Sequence, residues 1–85
     1  MERKKRIKKI LLNGFKSWII EVVDVSYKHK GHNSYTGNDE THFLIILHPD
    51  IYDNVKRLDI HRKINYLLRD EFSSGLHALE IKIKN

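Results

Sequence analysis

The 85-residue sequence predicts an α+β fold of order α-β-β-α-β, a two-layer sandwich with a three-stranded mixed sheet and the helices on one face. Three observations predict it. Apolar residues recur at helical spacing in two separate segments, each beneath a charged face. Three other segments are rich in β-branched residues, with polar clusters between them. The last helix lies between two strands. A strand–helix–strand unit of that kind needs a right-handed crossover, which makes the final strand parallel to a partner. The chain is read as one domain over residues 1–85.

In the first helix, at about 2–13, Ile7, Ile10, Leu11 and Phe15 form the apolar stripe and Asn13-Gly14 supplies the stop signal. Residues 18–25, from Trp18 to Val25, read as a strand. Residues 26–40 are polar and contain two glycines, Gly31 and Gly37, and a connection of this length in so small a domain is usually functional or mobile. Thr41 to His48 has a continuous apolar centre, which predicts an inner strand covered on both faces. Pro49-Asp50 opens a turn, with one helical turn running through Tyr52. Ile60, Ile64, Leu67, Leu68 and Phe72 stripe a second helix at about 56–72, which Ser73-Ser74-Gly75 terminates. In the last strand, Leu76 to Lys84, His77, Leu79, Ile81 and Ile83 share one face. The first two strands pair antiparallel across the long loop.

Composition removes several classes of function. The chain has no cysteine, so it builds no disulfide framework, thiolate zinc finger or redox CxxC pair, and no iron–sulfur site by itself. Nor does it contain a glycine-rich phosphate loop, an HExxH pair or a nucleophile elbow, and its carboxylates are dispersed, which predicts a protein that is not an enzyme. The net charge of +5 is concentrated at one end: Arg3, Lys4, Lys5, Arg6, Lys8 and Lys9 against Glu2 already account for it. Lys8, Lys9 and Lys16 interrupt the stretch from Ile7 to Ile20, so it forms neither a signal-peptide core nor a membrane span. The expected location is cytoplasmic or nuclear, or mitochondrial where a targeting segment has been trimmed.

Six histidines are the unusual feature. His29 and His32 stand HxxH in the long loop, where solvated residues and metal ligands are both open readings. His42 and His48 flank the central strand and read as structural. His61 lies among Lys56, Arg57, Arg62 and Lys63, a basic cluster at the start of the second helix that suits phosphate contacts or simply a solvated face. His77 reads from composition as a hydrogen-bonded histidine at the edge of the core.

Taken together, Glu21-Val-Val-Asp-Val-Ser-Tyr-Lys-His29, Gly31-His32, Glu40-Thr-His-Phe43, His61-Arg62 and Gly75-Leu-His-Ala-Leu79 resemble the BolA family in order and spacing across about residues 7–81. The resemblance implies the BolA fold, which is similar to a class II KH domain. It also implies partnership with a monothiol (CGFS-type) glutaredoxin in iron–sulfur cluster assembly, trafficking or iron regulation. In such a heterodimer the glutaredoxin cysteine and glutathione hold one side of a [2Fe–2S] cluster. On the BolA-like side, His77 of the terminal HAL motif is the implied ligand, with His32 the best positional match for the loop ligand and His29 the fallback. The protein alone carries no cofactor in this reading and is expected to be monomeric. Some bacterial members regulate transcription, so the alternative is a DNA-binding module contacting nucleic acid through Lys56, Arg57, His61, Arg62 and Lys63.

Overall fold

Each apolar stripe finds a partner in the computed structural model, which describes residues 2–26, 40–50 and 56–84. The elements are α1 (Arg3–Gly14), β1 (Ile19–Asp24), β2 (His42–His48), α2 (Arg57–Leu67), α3 (Arg69–Ser73) and β3 (Ala78–Ile83). The predicted boundaries of α1 and the strands hold to within one or two residues. His29, His32 and the helical turn expected through Tyr52 lie outside the described residues.

The sheet runs β1-β2-β3, with β2 in the middle. β1 is antiparallel to β2, Ile19 facing His48 and Asp24 facing Phe43. β3 is parallel to β2, with His42 opposite Ala78 and Leu47 opposite Ile83. The pleat sends Phe43, Ile45 and Leu47 of β2 and Ile20 and Val22 of β1 to one side. There they meet Ile7 and Leu11 of α1, Ile60 and Ile64 of α2, and Leu68, all within one buried cluster. Burying each such side chain is worth about 1.5–3 kcal/mol, so this layer contact holds the fold together. Phe15 and Trp18 extend it beyond the end of α1, their ring centroids 4.7 Å apart.

Two sequence expectations need correction. β2 is not covered on both faces. Leu44 and Ile46 stay half-exposed, and Ile19 and Val23 beside them on β1 are exposed. The unbroken apolar run of β2 therefore reflects its central place, where strands on either side shield even the uncovered face. The helix expected over 56–72 is broken at Leu68, whose backbone (φ −98°, ψ 13°) leaves helical geometry while its N–H still donates to the Ile64 carbonyl at 3.0 Å. The break turns the chain so that Glu71 of α3 and Ser74 just beyond it meet α1.

That contact redraws the N-terminal charge. Arg3 is buried: its Nε donates to Glu71 Oε1 at 2.9 Å and its Nη2 to the Ser74 carbonyl at 2.8 Å. Its Nη1 donates to the Glu40 carbonyl, and its backbone N–H to Glu40 Oε1 at 2.9 Å. Glu40 thus serves an otherwise orphan amide at the start of α1, whose own first turn has no acid. Arg6 adds two bonds to the Glu71 carboxylate, both at 3.0 Å. The Arg6 hydrogen bond above all, with a second from Arg3, holds the Glu71 carboxyl below its ordinary value against the opposing effect of burial, and Arg6 is raised in return. Gly75 closes the turn into β3 at φ +126°, and a Cβ there would lie 3.3 Å from Arg3 Nη2.

Candidate functional site

The long loop is closed at its root by two side chains. Asp24, the last residue of β1, accepts the Ser26 N–H on Oδ1 at 2.9 Å and the Glu40 N–H on Oδ2 at 3.2 Å. One carboxylate therefore ties the residues on either side of 27–39. Ser26, fully buried, accepts the N–H groups of Thr41 and His42 on its hydroxyl oxygen at 3.0 and 3.1 Å. The Val25 N–H donates to the His42 carbonyl at 2.9 Å. Short polar side chains that bond neighbouring backbone are the usual means of fixing such a junction.

The same junction holds the approach to β3. The Thr41 carbonyl accepts the N–H of His77 at 2.7 Å and of Ala78 at 3.2 Å. The backbone of His77 is thereby fixed to the residue at which the loop rejoins the sheet. Its side chain is exposed, so His77 is not the core-edge histidine that composition suggests. It lies one residue before β3, outside the alternation that turns Leu79 and Ile81 toward the helices. Its ring meets that of His42 edge-on, with centroids 5.6 Å apart and planes at 83°. His42 is buried, and its Nδ1 shares a 2.9 Å hydrogen bond with the Thr41 hydroxyl.

Chemically, His77 is an accessible imidazole on a rigid main chain, beside the root of a loop that carries two more in sequence. Among the described residues no group of three or more His, Cys, Asp or Glu side chains could hold a metal ion. One exposed imidazole and no thiolate do not make up the donor set of a closed structural metal site.

Of the other described histidines, His48 and His61 do not join it. His48 Nε2 pairs with Glu21 Oε2 at 3.1 Å at the far end of β2. His61 lies with Arg57 and Leu58 along a shallow, open concavity. The basic cluster read from the sequence does not converge on one point: Lys63 turns toward α1, its Nζ 4.6 Å from the Phe15 ring centroid. The structure instead assembles a broader basic layer. Lys4, Lys5, Lys8 and Lys9 of α1 and Lys56, Arg57, Arg62, Lys63 and Arg69 of the α2–α3 arm are all exposed, against Glu2, Asp59 and Asp70. The exposed positive charge thus extends beyond the first nine residues over the helical layer, while Arg3 and Arg6 of those nine are paired with Glu71. Tyr66 stands on this layer, 64% exposed, with the Arg69 guanidinium 4.2 Å from its ring centroid.

Sequence reasoning missed Asp24, Ser26 and Thr41 as parts of the site. The Glu40-Thr-His-Phe43 run was the available signal, since its polar half sits where an apolar strand should begin.

A loop-root junction of this kind, on a sheet with one antiparallel and one parallel pair beneath helices, defines a two-layer α+β module. The chain belongs to the BolA family: the model of BolA-like proteins matches residues 2–85. It is similar to the SufE-like protein 1, chloroplastic/mitochondrial, of Arabidopsis thaliana, 44% identical over 76% of this chain, which spans 19% of that relative's length. It is also similar to the DNA-binding transcriptional regulator BolA of Escherichia coli, 33% identical over 92% of this chain and 70% of the relative. The solved BolA domain of SufE1 from Arabidopsis thaliana superposes with a TM-score of 0.80 at 39% identity, over 99% of this chain and 92% of that one. The fold class read from the sequence is therefore the one observed. No helix among the described residues is long and apolar enough to cross a membrane.

Proposed function

We propose that this chain is a non-enzymatic adaptor that binds a monothiol glutaredoxin and co-ligates a bridging [2Fe–2S] cluster through His77 and a loop histidine, His32 or His29. The single observation that carries the reading is the shared anchor at Thr41. Its carbonyl fixes the His77 backbone at 2.7 Å, and its own N–H is held by Ser26 at the point where the loop returns. An exposed imidazole and a histidine-bearing loop thus start from the same fixed point. With no cysteine in the chain, every thiolate must come from the glutaredoxin and glutathione.

Exchange of thiolate for neutral imidazole lowers the negative charge of a cluster and raises its potential, as in Rieske centres. An imidazole must be neutral to ligate and is released when protonated, so the bond is labile near neutral pH. Such a ligand suits cluster transfer or sensing better than storage. The name of the plant relative makes an organelle a candidate compartment beside the cytoplasm and nucleus.

Co-expression with a CGFS glutaredoxin should yield a brown heterodimer, and His77→Ala should change its visible circular dichroism while the far-ultraviolet spectrum of the adaptor stays native. A visible spectrum identical to wild type would remove His77 from the site.

The exposed basic layer supports a second reading, nucleic-acid binding, in keeping with the printed name of the Escherichia coli relative. Five or more phosphate contacts would give a slope of about −4 or steeper in log K against log salt. A flat dependence, or no binding to duplex DNA at low salt, excludes it.

A further inference from the structure

We propose that His42 is a positioning residue for His77, its buried ring holding the His77 imidazole in one orientation. The inference rests on the reading of His77 as a ligand, and extends it to a residue that never touches the cluster.

An exposed histidine is ordinarily free to populate three staggered χ1 wells and two broad χ2 arrangements. Only a fraction of these would aim a ring nitrogen correctly, and a ligand that requires one of them binds more weakly by that fraction. Two constraints narrow the choice for His77. Its backbone and that of Ala78 both donate to the Thr41 carbonyl, which fixes where the side chain leaves the main chain. Its ring then meets the next residue, His42, in an edge-to-face contact with centroids 5.6 Å apart.

For such a contact to orient anything, the buried ring must itself be immobile. His42 is 7% exposed. Its N–H donates to Ser26 Oγ at 3.1 Å, its carbonyl accepts the Val25 N–H at 2.9 Å, and its Nδ1 is bonded to the Thr41 hydroxyl at 2.9 Å. The ring is thereby fixed at both main chain and side chain. It stands in parallel register with Ala78, the residue after His77, so the two rings are brought together by strand pairing. Thr41-His42 therefore grips His77 twice, once through the backbone and once through the ring. This supplies a reason for a polar, buried Thr-His pair at the start of the central strand.

The test compares His42→Ala, which removes the ring, with His42→Phe, which keeps an edge-to-face partner without its nitrogens. In the apo protein, three-bond couplings across χ1 of His77 should report one dominant rotamer in wild type and His42→Phe, and averaged values in His42→Ala. In the reconstituted heterodimer, His42→Ala should weaken cluster retention against a chelator by about three- to six-fold, the number of rotamers released. His42→Phe should stay within about twofold of wild type. Should His42→Ala fail to fold, Thr41→Val carries the same comparison by removing only the bond to Nδ1. Unchanged His77 couplings in His42→Ala overturn the proposal, as do averaged couplings in His42→Phe. A wild-type heterodimer that takes up no cluster instead refutes the ligand reading, while the apo couplings still decide whether His42 positions His77.

Discussion

Glu71→Ala offers the most demanding test of how this fold is held together. The carboxylate side chain is 8% exposed, and it accepts bonds from Arg3, 10% exposed, and Arg6, 37% exposed. Removing it leaves the Arg3 guanidinium in a low-dielectric site with its two carbonyl acceptors, from Ser74 and Glu40, but without the carboxylate that pairs with it. Breaking a buried ion pair by deleting one partner costs about 3–5 kcal/mol. The retained carbonyls place this case at the lower end, about 3 kcal/mol. A domain of this size has about 4–13 kcal/mol of stability in total. The corresponding fall in Tm is about 12–24 °C, at 4–8 °C per kcal/mol. Arg6→Ala, by contrast, removes a half-exposed partner that water readily replaces, and should cost far less than Glu71→Ala. Urea unfolding followed by circular dichroism at pH 7 measures both. The pH dependence supplies an independent arm. Because the folded carboxyl lies below its ordinary value of 4.5, its contribution is complete above that value and is lost as pH falls through the lower folded one. The gap between wild type and Glu71→Ala should therefore be constant above pH 4.5 and shrink below it. A Glu71→Ala variant within about 1 kcal/mol of wild type, or a gap indifferent to acid, would refute the account of Arg3 as a buried, partnered cation.

Two further substitutions probe the loop root and the last turn. Ser26→Ala strips the acceptor from two buried amides, Thr41 and His42, and should cost about 1–3 kcal/mol, with faster hydrogen exchange at those two positions. Unchanged exchange there would mean that the junction does not depend on the hydroxyl. Gly75→Ala places a Cβ on a residue at φ +126° and against Arg3 Nη2, so a loss of about 1–3 kcal/mol is expected in a thermal melt, and a stabilised variant would contradict the turn geometry.

How far the sequence reaches is best seen in particular residues. The helical spacing of Ile7 and Leu11, and of Ile60 and Ile64, is enough to assign two helices and the faces they bury, because an apolar stripe admits one packing direction. The β-branched runs and the strand–helix–strand order determine the sheet and its mixed character, because handedness and connection length leave few alternatives. The candidate ligand His77 is also legible, from the residues that surround it in the chain. Three things were not. Arg3 and Glu71 are 68 residues apart, and nothing local distinguishes them from the exposed lysines and acids beside them. Only the break at Leu68 and the packing of α3 on α1 bring them together. The two basic segments look unrelated along the chain, yet become one layer because both helices must cover the same apolar sheet face. His42 and His77 read as two separate histidines until parallel pairing sets one beside the other. Local pattern thus determines which elements form and which faces they bury. The meeting of distant polar side chains, on which both the Arg3 network and the orientation of His77 depend, is decided only when the layers pack, since a polar group carries no periodic signal of the partner it will find.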